Sequence, residues 1–202
     1  MILSIDTAGP VIGAACGDRV FSQRIVRGAD GVLSPAMAEL IRGIELTAVA
    51  VSVGPGAFTG LRVGVAAALG LAFARGVPVV PLGSLEARAA MVQHSRVLAL
   101  LDGRKGRAYA AFFVDGVAHT EVQDIPPEQA IALASGDWVA VGEGARVWQE
   151  LIVAAGGRVA DCAADSPAPA MCRLAEGRDT ADPAAIRLRY VRAPDAKKPV
   201  VN

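Results

Sequence analysis

The segment Gly54-Pro55-Gly56-Ala57-Phe58-Thr59-Gly60-Leu61-Arg62 offers the most chemistry. A glycine-rich loop feeding a helix can cradle an anion on free backbone N–H groups. Gly54, Gly56, Thr59 and Arg62 are then the candidate phosphate contacts. No Gly-Lys-Ser/Thr follows, so this is not a Walker A loop, and it is not G-x-G-x-x-G. Pro55 also removes one donor. A tight crossover turn explains the same glycines without a ligand and outweighs the cradle; Thr59 then serves as a helix cap. Asp6-Thr7 and Asp102 each close an apolar run. In a two-lobed nucleotide-handling fold they would face the cleft and could hold a metal ion or phosphate. As turn formers they would only cap local N–H groups. These two readings stand level.

Other chemistry finds little footing. His94 and His119 are not spaced as H-E-x-x-H, and no cysteine stands near enough in sequence to complete a ligand set. Cys16, Cys162 and Cys172 are an odd count without a C-x-x-C pair, which fits reduced, buried thiols better than a disulfide framework. No G-x-S-x-G elbow exists. No catalytic residue and no metal ligand is therefore assigned. Arg104-Lys105-Gly106-Arg107 with Tyr109 forms a small basic turn, either a solvated hairpin tip or a contact for RNA phosphate.

The elements that must position these residues follow from pattern and punctuation. A length of 202 residues suits one domain or two small lobes. An apolar fraction of 53% and a mean hydropathy of +0.42 exclude disorder. Twenty basic against twenty acidic residues leave no net charge, which argues against strong nucleic-acid binding by the chain's own field. The N-terminus lacks a basic region, and the longest apolar stretch, 63–74, is far short of the ~20 residues that span a bilayer. A cytoplasmic protein without a membrane partner is expected.

Strands are predicted over 2–7, 11–16 and 19–26, with Gly17-Asp18 as a hairpin turn. Ser34-Pro35 reads as N-cap and first residue of a helix running to about Arg42. A strand at 48–53, a helix at 59–75 ended by Gly76, a strand at 77–81 and a helix capped by Ser84 and running to about Gln93 follow. The order then recurs: strands at 96–101, 107–114 and 117–123, a helix at 126–134, a strand at 138–141, a helix at 143–155 and a strand at 158–160. Asp6 and Asp102 close matching strands, and Gly54-Pro-Gly56 matches Gly142-Glu-Gly144. These landmarks predict an α/β protein of two similar lobes, 1–95 and 96–192, with a mobile tail at 193–202.

The helix at 59–75 shows no polar face, so it must be covered on both sides. Gly60, Gly64 and Ala68 form a small-residue stripe along it. The preceding helix carries Leu33, Met37, Leu40 and Ile41 on one stripe. Two adjacent helices with surplus apolar surface point to a helix-to-helix interface with a partner, built from those four residues with Leu61, Val65, Ala68 and Leu69. Cover by the second lobe or the tail is the alternative. On the interface reading, Leu61→Asp or Met37→Asp breaks the pairing.

Leu3-Ser-Ile-Asp6-Thr7, Gly54-Pro-Gly-Ala-Phe-Thr-Gly-Leu-Arg62-Val-Gly, Gly83-Ser84-Leu85-Glu86-Ala87, Leu101-Asp102-Gly-Arg104-Lys-Gly-Arg-Ala-Tyr109 and Tyr190-Val-Arg-Ala-Pro-Asp-Ala-Lys197 together resemble the TsaB (YeaZ) family. The resemblance extends over most of the chain. It implies two ribonuclease-H-like lobes of the actin/Hsp70/sugar-kinase type, the second shortened. It implies a role in forming threonylcarbamoyladenosine beside the anticodon of tRNAs reading codons that begin with adenosine. The family member is the non-catalytic dimerisation subunit. Its partners are the catalytic TsaD subunit and the TsaE ATPase; alone it can pair with itself. ATP and metal belong to the partners, no cofactor to this chain, and tRNA is met only through the complex. The family's pairing surface is built from the two helices singled out above. The chain departs from the family at Ala8, Ala29, Ala57, Leu69 and Arg107, where polar, histidine, serine, lysine and acidic residues are common. A phosphotransferase or ATPase acting alone through Asp6, Thr7 and the Gly54 loop is the competing function.

Overall fold

A computed structural model describes residues 1–25 and 29–192 of the chain. The predicted tail at 193–202 lies outside the described residues.

The first sheet begins as an antiparallel meander: β1 (Ile2–Asp6), β2 (Val11–Cys16) and β3 (Arg19–Arg24). β4 (Ala48–Ser52) and β5 (Val79–Leu82) extend it in parallel, giving the order β3-β2-β1-β4-β5. The second sheet repeats this plan with β6 (Arg96–Asp102), β7 (Ala108–Val114), β8 (Val117–Ala118), β10 (Val139–Val141) and β11 (Arg158–Val159). Its order is β8-β7-β6-β10-β11, and β9 (Gln123–Ile125) also pairs with β7. β1 and β6 hold equivalent central places and end in Asp6 and Asp102. The expected duplication is therefore present, with several strands of the second lobe cut to two or three residues.

Alternation sorts the first sheet's side chains into two faces. Leu3, Ile5, Ile12, Val49 and Val51 pack under α1 (Ala29–Leu40) and α2 (Phe58–Arg75). Ala48, Ala50, Val80 and Leu82 meet α7 (Ala168–Ala175) through Met171 and Ala175. In the second lobe, Leu98, Leu100, Ala110 and Phe112 lie under α4 (Pro127–Ile131), α5 (Glu143–Val147) and α6 (Gln149–Ala154). By length and composition alone α2 could cross a bilayer, yet here Leu61, Val65, Ala68 and Ala72 are core residues of the first lobe.

Local departures have local causes. α1 starts at Ala29, not at a Ser34 cap, and Pro35 lies inside it. Proline removes the bond to the carbonyl four residues earlier, which belongs to Gly31, but packing of Leu33 and Met37 carries the helix through. The predicted strand at 117–123 is interrupted because Thr120 Oγ1 accepts the Phe112 N–H at 2.9 Å, a bond a strand partner would have taken. The predicted helix at 143–155 breaks at Trp148, whose φ of −111° and ψ of 30° leave the helical region. α7 answers to no predicted element. Its start, Pro167-Ala-Pro169, carries two prolines, and prolines in a first turn cost no helical bond. After α7 the chain stays with the first lobe: Ala181 bridges to Val79, and Ile186 enters its core.

Candidate functional site

The joint between the lobes is α3 (Ser84–Ala89), with five of its six residues buried. Ala87 packs toward the first sheet, and Leu85 and Ala89 pack toward the second. Arg88 projects from this enclosed helix with only 2% of its side chain exposed. A buried guanidinium is costly unless paired and hydrogen-bonded. Arg88 Nη2 donates to Asp6 Oδ2 at 3.1 Å, Nε to Glu143 Oε2 at 3.2 Å and Nη1 to the Ser84 carbonyl at 3.0 Å. One carboxylate comes from each lobe. Ser52 Oγ donates to the other oxygen of Asp6. Burial alone would lower the Arg88 pKa, but Asp6 and Glu143 outweigh it and hold the guanidinium charged. Burial pushes the Glu143 carboxyl up, against the pull of Arg88. A Cβ at Gly9 would fall 2.6 Å from Glu143 Oε1 and 2.9 Å from Arg88 Nη2, so the β1–β2 turn needs glycine to clear this cluster.

The two aspartates meet different partners. Asp102 Oδ1 accepts the Arg104 N–H at 2.8 Å, a turn cap. Asp6 is fully buried and already satisfied by Arg88 and Ser52. A divalent cation at Asp6 would have to displace the guanidinium, so these residues do not fit a metal-bound nucleotide. Among the described residues, no three His, Cys, Asp or Glu side chains gather to hold a metal ion. Thr7 is buried, and its Oγ1 has no partner among the described residues. His94 is engaged by the Arg96 N–H at 3.2 Å and by Asp137 at 3.5 Å; His119 lies edge-on to Phe112.

The Gly54 block serves close backbone approach. A Cβ at Gly54 would meet the Arg189 carbonyl at 2.3 Å, and one at Gly56 would meet the Ala8 carbonyl at 2.5 Å. Thr59 is not the cap of α2: Ala57 holds that position, without a side-chain bond, and Thr59 is exposed one residue inside the helix. Arg62 lies over the Phe58 ring at 3.8 Å and donates to the Tyr190 hydroxyl at 3.2 Å. The small-residue stripe faces inward. A Cβ at Gly60 would lie 2.2 Å from the Thr7 carbonyl, and one at Gly64 2.1 Å from Thr7 Oγ1. The stripe lets β1 approach α2; no partner helix is needed to explain it.

Leu33, Met37, Leu40, Ile41, Leu61, Val65 and Ala68 are all buried in the first lobe's own core, and Leu69 is half-buried. Aspartate at Leu61 or Met37 would disrupt that core and could not report on pairing alone. The two helices turn a different set outward. Phe73 is 87% exposed, with Ala66 and Gly70 exposed and Leu69 half-exposed on the same side of α2. A groove of about 470 Å³ runs between α1 and α2, lined by Met37, Ile41, Ala67, Leu71 and Arg75.

A second, larger cleft of about 750 Å³ opens between the lobes beside the Arg88 cluster. Gly103 and Arg104, at the start of the basic turn, form part of its rim. Sequence reasoning missed Arg88 and Glu143; the available signal was a charged residue, Arg88, held between alanines in Leu85-Glu-Ala-Arg-Ala-Ala90.

A family model described as TsaD, tRNA N6-adenosine threonylcarbamoyltransferase, matches residues 19–154. The tRNA threonylcarbamoyladenosine biosynthesis protein TsaB of Escherichia coli is 30% identical over 210 residues, covering 89% of this chain and 90% of that protein. The Bacillus subtilis protein of the same name is 29% identical over 150 residues, covering 68% and 64%. YeaZ from Pseudomonas aeruginosa superposes with a TM-score of 0.76 at 24% identity, over 94% of this chain and 98% of that one. The ethanolamine utilization protein EutJ from Carboxydothermus hydrogenoformans shares the fold at a TM-score of 0.50 and 14% identity, over 84% and 86%.

Proposed function

This chain belongs to the TsaB/YeaZ family, and on that premise we propose that it is the non-catalytic subunit of a tRNA threonylcarbamoyladenosine-forming complex. It pairs with a TsaD-type threonylcarbamoyltransferase and holds that subunit active; a TsaE-type ATPase joins them. ATP and metal belong to those partners, and the role is exercised on tRNA in the cytoplasm.

One observation carries the non-catalytic reading: the Arg88 guanidinium bound to Asp6 in the buried joint behind the cleft. A phosphotransferase or ATPase working alone needs that carboxylate for a cation, and here it is committed to an ion pair. The pairing reading is supported by Phe73, an aromatic ring left 87% exposed on a helix whose inner side is already in the core. Burying such a ring contributes roughly 1.5–3 kcal/mol, enough to make it an anchor. The match of a TsaD model to this chain supports a complex between two chains of like fold. Without the catalytic subunit, the same helices offer a surface for a second copy.

The test is a reconstituted modification reaction with TsaD- and TsaE-type subunits, the threonylcarbamoyl-adenylate supply, ATP and tRNA, with and without this chain. Modification that depends on the chain supports the proposal. Equal modification without it overturns the proposed role. Phe73→Asp is expected to abolish co-elution with the catalytic subunit while leaving the chain folded; co-elution like that of the wild type moves the pairing surface elsewhere.

A further inference from the structure

The chain carries as many acidic as basic residues, yet its inter-lobe cleft does not. Four exposed arginines from four separate elements line it: Arg24 at the end of β3, Arg104 in the turn after β6, Arg146 on α5 and Arg189 in the C-terminal segment. Among the described residues, no carboxylate pairs with any of the four side chains. Among the described residues only two carboxylates line the cleft, and both are engaged: Asp102 caps the Arg104 turn and Glu143 binds Arg88. The local field is therefore positive although the chain is neutral, which is the condition for attracting a polyanion.

The turn that presents Arg104 is held in an unusual shape. Arg104 and Lys105 adopt φ of 63° and 54°, left-handed backbone that costs a non-glycine residue energy. The shape is fixed by Asp102, by the Gly103 N–H donating to the Arg107 carbonyl at 2.8 Å, and by Arg192 donating to the Gly103 carbonyl at 3.2 Å. Aromatic rings complete the lining. Tyr190 is 41% exposed and packs on Phe58 with ring centroids 5.0 Å apart; Arg62 covers the Phe58 ring, and across the cleft Arg192 stands 5.9 Å from the ring of Tyr109 on β7. Guanidinium groups that neutralise phosphates, interleaved with rings on which bases stack, are the means by which proteins hold unpaired strands.

We propose that this cleft binds a phosphodiester segment of single-stranded RNA, the anticodon loop of the substrate tRNA; the inference rests on the threonylcarbamoyladenosine reading above. The ligand is held by arginines and aromatic faces, with no divalent cation at Asp6. The subunit thereby helps position the tRNA for its catalytic partner.

The experiment measures binding of an unmodified, fluorescently labelled tRNA reading a codon that begins with adenosine. The receptor is the complex of the full chain with its TsaD-type partner, titrated across salt concentrations. Arg104→Glu/Arg189→Glu is compared with wild type and with Arg173→Glu on α7, remote from the cleft. Circular-dichroism melts and co-elution with the partner establish that each variant is folded and assembled. The expected result is at least a tenfold loss of affinity for the double variant alone. The slope of log K against log salt should fall in magnitude by about 1.4, at about 0.7 per single-strand phosphate contact. Wild-type affinity and slope in the double variant overturn the inference. So does saturable binding of millimolar Mg·ATP by the chain without its partner that is lost in the double variant, which would make the cleft a nucleotide site. If modification proceeds equally without the chain, the functional reading fails first. If modification requires the chain and the double variant binds tRNA normally, only the cleft assignment fails.

Discussion

Arg192 and Asp124 are joined by two hydrogen bonds, Nε to Oδ2 at 2.7 Å and Nη2 to Oδ1 at 2.9 Å, and they fasten the end of the described chain to the second lobe. Upstream, the Arg189 N–H donates to the Val53 carbonyl at 2.7 Å, in the first lobe. Residues 186–192 therefore form a strap across the cleft rim, anchored on both sides. Asp124→Asn keeps the size of the side chain but removes the charge that holds Arg192. It is expected to cost about 1–3 kcal/mol and to raise amide exchange in residues 187–192 well before the core opens. Exchange that stays at the wild-type level would mean the bonds do not hold the strap.

The same latch has a pH dependence of known sign. Burial alone would raise the Asp124 pKa, but the bonds from Arg192 and Arg107 outweigh it and hold the carboxyl below its ordinary value of 3.8. A depressed carboxylate pKa gives stability that is present above the unfolded pKa and is lost as pH falls through the folded one. The strap should stay fastened from neutral pH down to about 4 and release below that. Arg192 Nε–H resonances followed by NMR through an acid titration would show the release. Release between pH 5 and 7 would contradict the assignment.

Arg88→Ala leaves two carboxylates at the joint without their cation. Breaking a buried pair in this way costs about 3–5 kcal/mol, measurable by urea unfolding. Asp6→Asn/Arg88→Met removes the charge on both sides of one bond and should recover part of that loss. Equal destabilisation by the two variants would show that the unpaired Asp6 charge is not the source of the loss.

Two glycines on α2 should respond in opposite directions. A Cβ at Gly60 collides with the Thr7 carbonyl, whereas one at Gly70 meets nothing within 4 Å. Gly60→Ala is expected to destabilise by about 1–3 kcal/mol. Gly70→Ala should stabilise by about 0.4–1 kcal/mol, because it narrows the unfolded ensemble and the helix already suits alanine. Thermal melts of the two single variants decide the matter. A destabilising Gly70→Ala would place something against that face of the helix.

The duplicated fold was legible because its marks are local. Strand-ending aspartates and glycine junctions recur at matching places, and each has a backbone reason such as the positive φ of Gly142. The Arg88 cluster was not legible, since its partners lie 82 and 55 residues away. The helix pair shows a different limit. When a helix is apolar all round, its pattern cannot say which side the sheet takes. The bulky stripe of Leu61 and Val65 went inward with the glycines, and Phe73 was left outside. Composition is silent on the cleft for a related reason: a zero net charge says nothing of where the arginines gather.

The position of α7 governs how the chain can be made. The second face of the first sheet is closed by a helix that arrives after the whole second lobe, and Ser4 Oγ reaches the Ala168 carbonyl across 164 residues of sequence. A nascent chain can pair β1 to β5 early, but Ala48, Ala50, Val80 and Leu82 stay bare until residue 175 has left the ribosome. The N-terminal lobe thus cannot mature ahead of the rest, as early domains commonly do. A polypeptide interrupted before α7 would lose not merely its end but the lobe with which synthesis began.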